Sequence, residues 1–167
     1  MDRELENGFH VLNNRVVALP LKTARQNAVQ DILSEILLKT GLSPIITRTI
    51  PGQRLIPVVV ITVDRTAILI NVTIPFVNLA NLNAAHERMV TEYQSLGEVL
   101  PLVVGSLGSW HPRNEDIRSL LNMEGRSWSS FHRKCRTAAI SGSMEIIRRH
   151  LDFHEPQPVQ GIEDPFE

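Results

Sequence analysis

Two runs of β-branched and aliphatic residues, separated by only two residues, constrain the fold of this chain more than any other feature. The runs cover residues 57–63 and 66–74 and flank Asp64 and Arg65. Strand-forming runs this close together are typical of a β-hairpin. Because both runs are almost continuously apolar, we expect them to form a sheet that is covered on both faces.

A helix is predicted on each side of this hairpin. Apolar residues recur at helical spacing between Thr23, a favourable N-cap, and Gly41, a helix-stop residue. This pattern predicts a helix near residues 24–40. After the hairpin, apolar residues share one helical face over about residues 82–96, which predicts a second helix.

The remaining elements complete an α/β pattern. A last helix near residues 127–151 is expected to be interrupted at 141–143, because Ser-Gly-Ser has weak helix propensity. The order of elements predicts an α/β fold with a small mixed sheet flanked by helices. The other predicted elements are strands near 44–50 and 100–104 and a short helix, capped by Asn114, that ends near residue 121.

The composition indicates one globular domain with a tail. Of 167 residues, 43% are hydrophobic and 21% are charged, and the single cysteine, expected to be a packed thiol, excludes an internal disulfide framework. We assign residues 1–21 to an N-terminal extension, 22–151 to the domain and 152–167 to a disordered acidic tail. Apolar runs such as 58–63 are too short to span a bilayer, and the charged start lacks the apolar segment of a secretory signal. We therefore expect no membrane partner and an intracellular location, with the nucleus as one option.

Five short sequence segments, taken together and in their order along the chain, are informative about the family of this protein. One such segment would carry little information, whereas five in the same order are specific. They are Arg25-Gln26-Asn27 at the first helix, Pro57-Val58 followed after twelve residues by Asn71, the run Asn71-Val72-Thr73-Ile74-Pro75-Phe76, the helix from Ala84-Ala85 to Tyr93 and Leu96, and Val103-Val104-Gly105-Ser106-Leu107-Gly108-Ser109-Trp110 with Pro112 and Asn114.

Together these segments resemble the restriction-like endonuclease domain at the C-terminal end of Pol proteins from site-specific non-LTR retrotransposons, which are non-LTR reverse transcriptases. That domain belongs to the PD-(D/E)xK nuclease superfamily, and the resemblance covers residues 22–150. It implies a restriction-endonuclease-like core in which acids on two neighbouring strands hold Mg²⁺ and a basic residue lies close by. The metal in such nucleases neutralises charge at the entering and leaving oxygens of the phosphodiester.

The chain departs from this family at the residues that carry catalysis. The resemblance places the two metal-binding aspartates at Val58 and Asn71. A valine cannot ligate Mg²⁺, and the amide of an asparagine carries no charge. The family's basic positions before Tyr93 are occupied by Met89 and Glu92. We therefore expect a degenerate site with no catalytic residues, no bound metal and no cofactor.

Two acids on the first predicted helix are the weak candidates for a relocated metal site. Asp31 and Glu35 are four residues apart and therefore share one helical face. Some nucleases of this superfamily use a first-helix acid to help hold metal, but such a pair is more often an exposed helix surface. Mg²⁺ is an expected cofactor only if these acids have replaced the lost ones.

Arginine-rich segments are the candidates for contact with nucleic acid. The formal net charge is only −1, yet residues 113–150 hold eight Lys or Arg against four acids. Arginine outnumbers lysine fourteen to three, which favours planar, bidentate contacts with phosphate. The candidate nucleic-acid-binding residues are Arg88, beside the old metal site, and Arg126, Arg133, Lys134 and Arg136 on the last helix.

Three functions remain open at this stage. The leading hypothesis is a retrotransposon-derived, domesticated or decayed pseudoenzyme that no longer cleaves and is retained for interaction. Its partner would be a protein, a second copy of the chain, DNA or RNA, and the near-neutral charge favours a protein. The alternative is an active metal-dependent DNA endonuclease whose catalytic acids have relocated. The third hypothesis is a protein–protein interaction module that uses the freed groove or an exposed sheet edge for self-association or partner docking.

Overall fold

A computed structural model describes residues 19–47, 58–76 and 79–152 of the chain. The N-terminal end of the predicted extension, residues 48–50 of the first predicted strand and the acidic tail after residue 152 lie outside the described residues. The described elements are, in chain order, α1 (Leu19–Lys39), β1 (Ile45–Thr47), β2 (Val58–Val63), β3 (Thr66–Thr73), α2 (Leu79–Tyr93), β4 (Glu98–Val103), a 3₁₀ turn (Pro112–Asn114), α3 (Glu115–Leu120) and α4 (Gly125–Asp152).

The strands of this described region form one mixed sheet in the order β1-β2-β3-β4. Strands β1, β2 and β3 pair antiparallel, whereas β4 lies parallel to β3 and is reached through α2. The predicted hairpin is confirmed, and its two turn residues, Asp64 and Arg65, both have left-handed backbone angles, with φ of 48° and 66°. This is the conformation of a type I′ turn, whose twist matches that of the two strands.

The helices lie on both sides of the sheet, so the predicted α/β architecture is confirmed. Helices α1 and α4 pack against each other on one side, where Val59, Ile70 and Val72 join Leu33 in the main core. Helix α2 packs over β4 and β3 on the other side.

The expectation of a sheet covered on both faces holds for β3 but is wrong for part of β2. Residues 68–72 of β3 are all buried, whereas Val60 in β2 is half-buried and Thr62 is exposed. A single helix about 10 Å wide covers only about two strands spaced about 4.8 Å apart. Helix α2 therefore leaves the outer face of β2 partly open to solvent.

The last helix corrects one prediction. Helix α4 runs without interruption from Gly125 to Asp152, through the Ser-Gly-Ser segment. Gly142 lies against Arg25 of α1, and Ser143 accepts a 2.7 Å hydrogen bond from Nη1 of that arginine. The small residues that weaken the helix locally are the ones that let α1 and α4 approach closely, so packing overrides propensity.

The ends of the helices also differ from the predicted ones. Helix α1 begins at Leu19, with Pro20 in its first turn, where proline is tolerated because its missing N–H has no helical partner. Thr23 is therefore an interior residue and not the N-cap, and α1 crosses the predicted domain start at residue 22. None of the helices in the described ranges is long and apolar enough to cross a membrane.

Candidate functional site

The two positions that correspond to the family's aspartates are direct neighbours in the sheet. Val58 and Asn71 are cross-strand partners in the antiparallel pairing of β2 with β3. Side chains alternate between the faces along a strand, so Asn71 lies on the face that α2 covers, opposite the face of Ile70 and Val72. The predicted proximity of the two positions is thus confirmed at the level of the backbone pairing.

Asn71 is an uncharged and unsatisfied polar group at this position. Its side chain is fully buried, and neither Oδ1 nor Nδ2 has a hydrogen-bond partner in the described part of the chain. The phenol of Tyr93 lies nearby without reaching hydrogen-bond geometry with it. Burial raises the pKa of Tyr93, the neighbouring Glu92 raises it further, and the Asn71 amide opposes that rise. Position 71, where the resemblance places a metal-binding aspartate, is therefore a neutral interior position.

The basic position of the family is also part of the interior. Met89 of α2 is only 2% exposed, so its thioether packs into the sheet side of the helix. Glu92 is exposed, and so is Arg88, which points about 100° away from Met89 around the helix. Helix α2 therefore presents a neutral thioether, and not a basic group, at the position where the resemblance places the catalytic basic residue.

The sheet separates Arg88 from the other predicted nucleic-acid-binding residues. Arg88 is on α2, whereas Arg126, Arg133, Lys134 and Arg136 are on α4, across the sheet. All five residues are exposed. The structure therefore does not bring them together around a single groove.

The four basic residues of α4 also point in different directions. Arg126 and Arg133 are seven residues apart and share the outer face of the helix. Lys134 faces α1, where its Nζ lies 3.9 Å from Oε1 of Glu35. Arg136 points to the loop after β4 and donates a 2.6 Å hydrogen bond from Nε to the carbonyl oxygen of Gly108. The four residues predicted as one cluster therefore point in three different directions.

The weak metal candidates Asp31 and Glu35 lie on α1, so the sheet separates them from the side chain of Asn71. Both are exposed. Glu35 pairs with Lys39 one turn later, and this hydrogen bond, together with Lys134, lowers the pKa of its carboxyl group. The structure therefore gives Glu35 an ion-pairing role on a helix surface, and both acids lie away from Asn71.

A cavity on the other side of the sheet was missed by the sequence analysis. It lies between α2 and the loop after β4, and its volume is about 480 Å³. The imidazole rings of His86 and His111 stack in it, with centroids 4.7 Å apart and an interplanar angle of 18°. The two histidines lack metal-ligand spacing in the sequence, so only the fold reveals that they meet.

Hydrogen bonds hold His111 in one orientation. Its Nδ1 accepts from the backbone N–H of Arg113 at 3.2 Å, so Nε2 carries the proton and donates to Oδ1 of Asn83 at 3.0 Å. Burial lowers the pKa of both His86 and His111, and each is lowered further by Arg113. Both rings are therefore neutral at neutral pH.

Asn114 anchors the loop that carries His111. Its Oδ1 accepts a hydrogen bond from the N–H of Val103 at 2.9 Å, and its Nδ2 donates to the carbonyl oxygen of Val103 at 2.8 Å. Asn114 occupies the predicted N-cap position of α3, but its side chain makes no capping hydrogen bond because both polar atoms are bonded to β4. This two-point contact fixes the loop to the sheet and thereby places His111 beside α2.

Arg25, which corresponds to the first residue of the family's Arg-His-Asn segment, is a buried cation. It is 5% exposed and bonds to Ser143 and to the carbonyl oxygen of Ile74, while its Nε has no hydrogen-bond partner. Burial lowers the pKa of Arg25 to about 10. It joins α1, α4 and the end of β3, which is a structural role.

Comparisons with known proteins do not assign this chain to a family. No family model matches it, and no curated protein sequence matches it. Within residues 19–47, 58–76 and 79–152, no group of three or more His, Cys, Asp or Glu side chains is placed to hold a metal ion. The resemblance to the retrotransposon endonuclease domain stays a prediction, carried by the five sequence segments.

Proposed function

We propose that this chain is a retrotransposon-derived, endonuclease-like domain that binds nucleic acid without cleaving it. The observation that carries the proposal is the state of Asn71, a neutral and fully buried amide at the position of a metal-binding aspartate. Mg²⁺ binds anionic oxygens, and an amide enclosed beneath α2 supplies no such charge. Met89 at the basic position is buried as well, so two parts of the nuclease chemistry are replaced by neutral side chains.

The absence of the two carboxylates favours binding of the phosphate backbone of a nucleic acid. Two carboxylates close to a phosphate repel it strongly when no metal is bound between them. Their replacement removes this repulsion and allows a metal-free contact. Asn71 itself is enclosed, so the phosphate contacts would be made by exposed residues elsewhere, namely Arg88 on one side of the sheet and the Arg126–Arg133 pair on the other.

A second candidate function, a protein-interaction or self-association module, is favoured by an apolar stripe on α4. Ile140, Met144 and Leu151 are 38%, 50% and 60% exposed and follow each other at four- and seven-residue intervals along the helix. Leu107 in the neighbouring loop is 53% exposed. Apolar residues spaced in this way form the contact seam of paired helices.

Two assays on the purified chain test the proposal. The first measures nicking of supercoiled plasmid with Mg²⁺ or Mn²⁺, and we expect none above the background of a mock purification. Nicking that is abolished by Glu35→Gln would overturn the proposal and would support the relocated-acid alternative. An Arg65→Gln variant, which changes an exposed charge in the hairpin turn, is the matched control.

The second assay measures binding of DNA and RNA at two salt concentrations without metal. We expect affinity to fall steeply with salt, with a log–log slope of about 0.7 to 0.9 per phosphate neutralised. Absence of binding to every probe at low salt would overturn the nucleic-acid proposal. Concentration-dependent dimerisation that Met144→Lys abolishes would then support the interaction-module function instead.

A further inference from the structure

Most of the residues that line the cavity between α2 and the loop after β4 carry a polar group and two of them carry an imidazole ring. It is lined by Asn83, His86, Val90, Thr91, His111 and Arg113, together with the carboxylate of Glu87. Val90 is the only aliphatic residue among them. Its volume of about 480 Å³ is within the range of about 300–1,000 Å³ that is typical of small-ligand sites.

We propose that this cavity binds one unpaired base of a single-stranded nucleic acid, stacked on the imidazole of His86. The inference rests on the proposed nucleic-acid-binding function and specifies a site and a substrate class for it. A base within a duplex is already stacked on its neighbours, so entry into a cavity requires an unpaired base or one that has left the helix. The site therefore selects single strands.

The stacked histidines provide the platform. His111 is 4% exposed and held by two hydrogen bonds, so it supports the ring of His86 from one side. His86 is half-buried and lines the cavity, so part of its ring remains accessible. Aromatic side chains held rigidly in this way bind bases of any sequence, because every base has a π-face.

Polar groups around the platform match the edge of a base. Asn83 uses its Oδ1 to accept from His111, so its Nδ2 donor remains available. The carboxylate of Glu87 is a strong acceptor for the exocyclic amino groups of adenine, cytosine or guanine, and Thr91 offers a hydroxyl group. A thymine or uracil has no exocyclic amino group, so this lining favours the other bases.

Arg113 supplies a contact for the backbone of the same strand. Its side chain is 66% exposed, and its Nε bonds Oδ2 of Asp116 at 2.7 Å. A guanidinium has five N–H donors, so this contact leaves others for a phosphate oxygen. The ion pair with Asp116 also orients the arginine at the cavity rim.

The test compares ordinary and abasic single strands on the full chain. The probes are fluorescein-labelled DNA of about ten nucleotides, one with adenine bases and one with the same phosphates but no bases. We expect the abasic probe to bind about 5- to 150-fold more weakly, the range for losing one stacked base. His86→Ala should weaken binding of the adenine probe by a similar factor and leave the abasic probe unchanged. His86→Phe, which keeps an aromatic ring, should retain most of the affinity.

The outcomes separate this inference from the proposed function. Equal affinity for both probes, or an adenine probe that is insensitive to His86→Ala, would overturn the base-binding site while leaving a phosphate-binding function in place. Absence of binding to both probes would overturn both. Thr137→Ala, at an exposed position of α4 across the sheet, is the matched control and should bind both probes as the unmodified chain does. If His86→Ala does not fold, the base-binding site is tested by comparing the affinities of the adenine and abasic probes for the unmodified chain and for His86→Phe.

Discussion

Gly142 of α4 lies directly against the side chain of Arg25 in α1, so closely that a β-carbon on the glycine would be 2.5 Å from Cγ of the arginine. Both residues are in helices whose mutual packing is the largest interface of the described region. The aliphatic part of Arg25 thus fills the space that a side chain at position 142 would need. Its guanidinium then reaches Ser143 and the end of β3.

Gly142→Ala is expected to lower the free energy of unfolding by about 1 to 3 kcal/mol, through overpacking against Arg25. In an exposed helix the same change would raise it by about 1 kcal/mol. The measurement is urea unfolding followed by circular dichroism. Gly125→Ala is the control, because nothing lies within 4 Å of a β-carbon there. In an Arg25→Ala background the effect of Gly142→Ala should reverse, and a loss that persists in that background would contradict the explanation.

A pair of buried asparagines offers the second prediction. Asn71→Val should raise the free energy of unfolding by about 1 to 2 kcal/mol, because it removes two buried polar atoms that have no partners. Asn114→Val should lower it by about 2 kcal/mol or more, because it leaves the N–H and carbonyl oxygen of Val103 without their side-chain partners.

Both asparagines are fully buried, so burial alone cannot explain why the two substitutions are expected to change the free energy of unfolding in opposite directions. The two variants are compared by urea unfolding under the same conditions. Asn71→Asp should be destabilising, since an isolated charge would replace a neutral amide in the interior. A destabilised Asn71→Val would contradict this prediction and would mean that the amide is hydrogen-bonded in the folded chain, with the phenol of Tyr93 as the candidate partner.

The third prediction is that the folded chain loses stability in mild acid because of three histidines. Burial is the largest cause that lowers the pKa of His86, His111 and His132 below the ordinary value of 6.5. The folded chain therefore binds these protons more weakly than the unfolded chain, and stability falls as the pH drops below about 6.5 through the lowered values. We expect a lower urea midpoint at pH 5 than at pH 7.5.

His132→Phe tests the origin of this pH dependence. Nε2 of His132 is buried without a hydrogen-bond partner, and the ring lies 4.2 Å from that of Trp110. A phenyl ring keeps the aromatic contact and cannot take up a proton, so the variant should lose part of the decrease between pH 7.5 and pH 5. If the variant shows the same decrease in stability as the unmodified chain, protonation of other groups causes that decrease.

The fourth prediction concerns the single cysteine. Cys135 is fully buried, and burial raises the pKa of its thiol to about 12, although Lys134 opposes this slightly. The thiolate is the reactive form, so the folded chain should react with an aromatic disulfide reagent only on the timescale of unfolding. In guanidinium chloride the reaction should be complete and fast. Rapid labelling of the folded chain at pH 8 would contradict this burial.

The sequence predicted those parts of the fold that depend on neighbouring residues. The hairpin turn at Asp64 and Arg65 follows from two strand-forming runs and a two-residue connection. The continuity of α4 could not be predicted from the sequence. Gly142 has weak helix propensity, and its role depends on Arg25, which is far away in the chain. Propensity describes the local chain, and this contact is tertiary.

In the candidate site, too, local features could be predicted from the sequence and tertiary contacts could not. The spacing of Val58 and Asn71 predicted their cross-strand pairing, since both belong to one hairpin. The stack of His86 on His111 could not be predicted, because it joins α2 to a loop whose position depends on the two hydrogen bonds between Asn114 and β4. Arg88, predicted from its place beside the expected metal site, and Arg133, predicted from the basic cluster of the last helix, lie on opposite sides of the sheet, which the sequence does not reveal.

The two-residue turn at Asp64 and Arg65 also determines which side of the sheet carries position 71. Pairing of β2 with β3 begins directly beside the turn, so the length of the connection sets the register of every pair as far as Val58 and Asn71. A shift of one residue in β3 would move its side chains to the opposite face. The amide of Asn71 would then enter the core beneath α1, and Ile70 and Val72 would turn toward α2. A single inserted residue in this turn is therefore more disruptive than a substitution at Asn71 itself.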